Sequence, residues 1–333
     1  MNAKELIWLQ DTTERDLLYG SQSLSEATHA PWSCVNFGMD KVDYLAKFEI
    51  HIPTCNGKLA PIAVERKCIE YAYDWFMYMT THEVERVVFE AAVLVIAGLT
   101  IMEEKAGAAM GCSIFGISLE LLLKDIGHAL HPRACARLRT LVIQSVESQG
   151  SRQDTNMDHH LKTLEGISSC YLNYMRWRNI DGYYEVAMLC SFATMGESCA
   201  ELTVGVANDI LEAAILTHDT HSVLRHFEED EMANCHRFLH PNLQVSISRA
   251  FERVAGLRNN IRFDCSIPAS IKRCAMVAIS ACHSFNYACR RYRYGADFAN
   301  VANFVNSAPT FTCPFSNLPK ASVPFSKLTQ KLP

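Results

Sequence analysis

The sequence predicts an all-α protein, and three observations carry that expectation. Apolar residues recur at three- and four-residue steps from about residue 60 to 295, which is the period of a helix that buries one face. No stretch alternates apolar and polar residues over more than a few positions, as a half-buried strand would. Helix punctuation falls where the last period starts and stops, with Pro268 as the first helical residue and Gly295 as the end.

Taken in order, residues 1–60 form a mixed, polar N-terminal segment in which "HAPWSCVNFG" marks an irregular entry. Helical spacing then runs through "ERKCIEYAYDWFMYMTTHEV", "VERVVFEAAVLVIAGLTIMEEKAG", "CSIFGISLELLLKDIGHAL", "HPRACARLRTLVIQSVESQ" and "DHHLKTLEGISSCYLNYMRWRNIDG". It continues through "GESCAELTVGVANDILEAAILTHDTHSVLRHF", "DEMANCHRFLHPNLQVSISRAFERVAGLRNN" and "PASIKRCAMVAISACHSFNYACRRYRYG". Residues 296–333 turn rich in Pro, Ser and Lys and read as a tail. With no repeat and no linker, residues 61–295 are expected to form one domain.

A chain of 333 residues, 49% hydrophobic and 20% charged, is long enough to bury a sizeable core. Its net charge of −5 supplies no basic field for nucleic acid. The longest apolar run, Val87 to Met102, is interrupted by Glu90 and Thr100. It is too short and too polar to span a membrane and reads as a buried helix. The first residues lack the apolar core of a secretory signal. Fourteen cysteines contain no CxxC pair. Several, such as Cys274, Cys282 and Cys289, recur at helical spacing, as small buried hydrophobes do in a reducing, cytoplasmic compartment.

Three polar constellations interrupt the helices. In "YMRWRNIDG", Arg176 and Arg178 flank Trp177 just before Gly182, so a guanidinium fork beside a helix break could grip a phosphate. In "VANDILEAAILTHDTH", Asn208 and Glu212 lie four apart, with Asp219 near the same stripe. Such oxygen donors suit Mg2+, and they equally suit the wet face of an amphipathic helix. In "NYACRRYRYG", Arg290, Arg291 and Tyr292 crowd the end of the last helix. They could bind an anion or simply complement the helix dipole. His236 and His240 have zinc-helix spacing but no further ligand at a suitable offset.

Taken together, these motifs resemble the fungal class I terpene cyclases of the trichodiene synthase type, over about residues 65–295. The resemblance implies a single-domain helical barrel that turns a linear isoprenoid diphosphate into a cyclic sesquiterpene with Mg2+, with a homodimer as a common assembly. "CRRYR" looks like the family's Asp-Arg-Arg-Tyr-Arg, which gives Arg291 and Tyr292, with Arg290 beside them, a diphosphate-binding role. "YMRWRNIDG" is similar to the family's effector segment and puts Arg176 in the effector place. "VANDILEAAIL" looks like the second metal motif and starts with Asn208 and Asp209.

The departures are as specific. The serine place of that motif is Glu212, the final glutamate place is Leu216, and the neighbouring lysine place is Ile215. Counting from Tyr73 and Trp75 lands the first motif's aspartates on Ala97 and Gly98, with Glu103 and Glu104 almost two turns further on as the remaining carboxylates. Trp75, Phe89 and Phe285 are candidate aromatic walls for a cationic substrate, and equally candidates for core packing.

Three functions follow. One is a divergent cyclase-fold enzyme on a sesquiterpenoid or related isoprenoid, working by allylic cation chemistry with a reduced or absent metal cluster. Another is an ordinary Mg2+-dependent farnesyl diphosphate cyclase rebuilt around Glu103, Glu104, Asn208 and Glu212. The third is a non-catalytic helical binding protein.

Overall fold

The computed structural model describes residues 62–77, 85–104, 113–114, 117–154, 171–223, 226 and 234–288. The described chain is all-α apart from one tiny hairpin. Helix α1 (Ile62–Met77) and α2 (Arg86–Glu104) come first, followed by β1 (Ser113–Ile114) and β2 (Ile117–Ser118). Then follow α3 (Leu119–Gly127), α4 (Pro132–Asp154), α5 (Tyr171–Asp181), α6 (Tyr184–Thr194) and α7 (Val204–His221). The series ends with α8 (His236–Leu239), α9 (Leu243–Phe263) and α10 (Ala269–Ala288).

Helix α2 is the centre of one half of the core. Every residue from Ala91 to Thr100 is buried, and α1, α3, α4 and α6 all pack against it. Its many β-branched residues give it only modest intrinsic helix propensity, so tertiary burial is what holds it. Helix α7 is the centre of the other half, packed by α5, α6, α9 and α10. Its start is fixed by Thr203, whose hydroxyl oxygen accepts from the Val206 N–H at 3.3 Å. Asn242 caps α9 in the same way, accepting from the Val245 N–H at 3.0 Å. Each such cap satisfies one of the donors that a helix start leaves open.

Three local differences from the predicted segments have plain causes. Residues 113–114 and 117–118 pair as antiparallel strands instead of starting α3, in a stretch where Ile114 and Ile117 flank Gly116, a poor helix sequence. Residues 184–194 form a helix of their own that is buried almost all round, so it offers no polar face to betray its period. Helix α10 starts at Ala269, with the Pro268 carbonyl accepting from the Lys272 N–H at 2.9 Å, so the proline precedes the first helical residue. Gly295, residues 1–60 and the tail 296–333 lie outside the described residues.

Cys190, Cys235, Cys274 and Cys282 are buried thiols outside any disulfide, as small hydrophobes are. Burial pushes the Cys282 thiol up to about 12. Among the described residues, no helix is long and apolar enough to cross a membrane.

Candidate functional site

Helices α1, α2, α6, α7 and α10 close into a ring, each packed on the next and α10 packed back on α1. A cavity of about 50 Å3 lies between them. Tyr71 and Trp75 of α1 form one wall, and His218, Cys282 and Asn286 form the wall opposite α2, which contributes Ile96. The break between α5 and α6 completes the site with Arg178, Gly182, Tyr183 and Tyr184.

The break is built by the sequence "RNIDGYYE". The Gly182 N–H donates to the Arg178 carbonyl at 2.9 Å and the Tyr183 N–H to that of Ile180 at 3.2 Å, which tightens the last turn of α5. Tyr183 then takes a left-handed conformation, with φ 44° and ψ 33°. For a bulky L-residue that is a strained position, costing about 1–2 kcal/mol. Two contacts hold it. Asn179 Oδ1 accepts from the Glu185 N–H at 2.9 Å, so a side chain caps the new helix. The Tyr183 hydroxyl lies 2.8 Å from Thr100 Oγ1, whose own proton goes to the Ile96 carbonyl, so the tyrosine donates. Gly182 is required by space, because a Cβ there would run into the Tyr184 ring.

Of Arg176 and Arg178, it is Arg178 whose guanidinium enters the interior. Its Nη1 donates to Asp181 Oδ2 at 3.0 Å, and its Nη2 and Nε donate to Asp219 Oδ1 at 3.2 and 3.3 Å. Asp219 Oδ2 also accepts from the Tyr174 hydroxyl at 2.6 Å and from the Cys235 N–H at 2.9 Å. Burial in first place, and then the Asp219 charge, hold the Tyr174 hydroxyl well above its ordinary range. Arg176, expected in the effector place, is exposed, because residues two apart on a helix face nearly opposite ways.

The polar stripe of α7 has partners of its own. Glu212 takes Arg253 of α9 in a two-pronged contact of 2.7 and 2.8 Å, and the Tyr171 hydroxyl donates to it at 2.9 Å. Asn208 and Asp209 are half-buried one turn earlier. Burial, and next the Glu212 charge, push the Asp209 carboxyl up to about 6, against the pull of Arg253. Leu216 and Ala97 are wholly buried apolar residues, and Gly98 is buried too. Glu103 and Glu104 end α2, with side chains outside the described set.

Of the aromatic candidates, Trp75 lines the cavity and donates from its indole N–H to Ser191 Oγ at 3.4 Å. Phe285 stands behind it, edge-on to Trp75 at 5.1 Å and to Tyr71 at 4.8 Å. Phe89 is fully buried against Tyr73 and Phe76, in the α1–α2 packing. Arg290, Arg291 and Tyr292 lie outside the described residues.

Sequence reasoning did not single out Tyr183, Tyr184 or Asn286 as site residues. Asn286 was the most visible of them, one amide on the apolar face of "CHSFNYA". No protein-family model matches the chain, and no curated protein matches it.

Proposed function

We propose that this chain is a divergent enzyme of the class I terpene-cyclase fold, acting on a sesquiterpenoid or related isoprenoid through an allylic cation, with its metal cluster reduced or absent. The observation that carries this reading is the five-helix ring, with its cavity at a helix break and its aromatic wall of Tyr71, Trp75 and Tyr184. Aromatic rings stabilise a desolvated cation by about 2 kcal/mol each in good geometry.

The described donor set does not fit the three-metal arrangement of that fold family. Glu212 is engaged by Arg253, and the places of the other carboxylates are held by Ala97, Gly98 and Leu216. Among the described residues, no three His, Cys, Asp or Glu side chains come together as metal ligands. Charge on the leaving group then falls to donors aimed at it. Arg178 is answered by two carboxylates and offers an anion no net positive charge. On this reading the anion goes to Arg290, Arg291 and Tyr292, since Arg176 faces away from the cavity.

A fifteen-carbon chain does not fit in about 50 Å3, so on this reading the cavity widens when substrate binds. The test is turnover of farnesyl and nerolidyl diphosphates by the wild type and by Trp75→Ala. Cyclic terpenoid product, lost or redistributed in the variant, is the expected result. Turnover at the protein-free rate with both diphosphates contradicts the proposal.

A further inference from the structure

Asn286 lines the cavity with 1% of its surface exposed. Its Nδ2 donates to the Cys282 carbonyl at 2.6 Å. That contact fixes which way the amide points, since a carbonyl oxygen can only accept. The amide Oδ1 is then left with no hydrogen-bond partner among the described residues. An unsatisfied buried acceptor costs about 1–3 kcal/mol, and the cavity it borders has room for a donor. At roughly 10–15 Å3 for each water, about 50 Å3 admits a small cluster of them.

The walls select the kind of occupant. An acceptor oxygen with no donor disfavours an anion. The Arg178 guanidinium on the same cavity is already matched by Asp181 and Asp219, so it does not select the charge of the occupant. A cavity of this size that offers one open acceptor suits a hydrogen-bond donor as small as water, and His218 of α7 borders it as a second polar residue.

The geometry points to a nucleophilic water held on Asn286 Oδ1, with His218 as its proton acceptor. The assignment rests on the isoprenoid reading above and deepens it by naming the group that ends the cation. The leaving group has by then departed with its bonding electron pair. A lone pair of the water oxygen forms the new C–O bond to the cationic carbon, while Asn286 Oδ1 holds one O–H. The other proton passes to the His218 imidazole, which later returns it to solvent. The product is an alcohol, where loss of a proton from carbon would have given a hydrocarbon.

Two measurements on the intact chain test this. A crystal structure that resolves waters is expected to show one within hydrogen-bonding distance of Asn286 Oδ1. Turnover of farnesyl diphosphate in H2 18O is expected to yield a cyclic alcohol carrying the label. Contaminating phosphatase instead gives a linear alcohol with unlabelled oxygen, because it cleaves the P–O bond. Asn286→Leu is expected to lower the alcohol-to-hydrocarbon ratio about tenfold, the worth of one good hydrogen bond, whatever it does to total turnover. A merely structural role lowers all products together and leaves that ratio alone.

An Asn286 oxygen met by a protein donor, or by no water, overturns the assignment whatever the turnover. Cyclic hydrocarbon as the sole wild-type product overturns it and leaves the isoprenoid reading standing. No isoprenoid product at all overturns both.

Discussion

Arg178 and Asp219 meet inside the protein, Nη2 to Oδ1 at 3.2 Å, with side-chain exposures of 4% and 0%. They join α5 to α7 directly beneath the helix break, so the site's strained turn rests on a buried ion cluster. Removing one partner of a buried pair leaves an uncompensated charge and costs about 3–5 kcal/mol. Asp219→Ala is therefore expected to lower unfolding free energy by that order in urea titrations. Arg176→Ala, at an exposed position, is expected to stay within about 0.5 kcal/mol of wild type.

Glu212 and Arg253 set up a contrast between structural and metal-binding roles. Their exposures are 16% and 22%, so the pair is partly solvated. Glu212→Gln is expected to cost about 1–2 kcal/mol of stability. It is also expected to leave any response of turnover to Mg2+ unchanged. A shift of the Mg2+ midpoint in a titration of that variant would identify Glu212 as a ligand instead.

The aromatic residues should separate by role. Phe89→Ala opens a hole in the α1–α2 packing and is expected to cost about 3–5 kcal/mol. Trp75→Ala, at a half-buried position on the cavity, is expected to cost less stability and to change product distribution more. Thermal melts and product analysis on the same preparations compare the two directly.

Acid should destabilise the fold through buried histidines. Burial lowers His221 to about 4, against the Thr217 carbonyl that favours its proton, and lowers His236 to about 3. Burial and the neighbouring His221 hold His283 well below its ordinary value, with the rings 4.8 Å apart. Since these folded values lie below the unfolded 6.5, the unfolded chain takes up protons first as pH falls. Stability is at its full value above about 6.5 and is lost toward about 4 for His221 and about 3 for His236. Each group contributes up to about 1.4 kcal/mol per pH unit. Asp209 works the other way: raised from 3.8 to about 6, it favours the folded state as pH falls through that window. Urea midpoints are expected to drop from pH 7 to pH 5 in the wild type, and to drop less in His221→Phe.

The break itself offers a geometric test. Gly182→Ala would force the Tyr184 ring aside, and that ring borders the cavity. Turnover is expected to fall more than tenfold with a stability loss of about 1–3 kcal/mol, as overpacking costs. Full activity in Gly182→Ala would show that Tyr184 does not shape the site.

How much of this was legible in the sequence depended on whether a residue's neighbours lay near it in the chain. Helices α1, α2, α4, α7, α9 and α10 followed from their apolar period, a local property. Helix α6 did not, since Tyr184–Thr194 is buried on all sides. The choice of Arg178 over Arg176 depended on Asp219, 41 residues away, which no local pattern reveals. Glu212 stood out as a polar residue on a core helix, but its partner Arg253 is likewise 41 residues distant. Asn286 was visible as an amide on an apolar stripe. Its significance came only from the Cys282 carbonyl, which fixes the orientation of the amide.

The proposed cation chemistry on an isoprenoid, without the usual metal cluster, is tested by diphosphate release and product formation from farnesyl and nerolidyl diphosphates, in parallel tubes with Mg2+ and with EDTA. A cyclic terpenoid product that persists in EDTA is the expected result. A product formed only with Mg2+, or no product in either tube, contradicts the proposal.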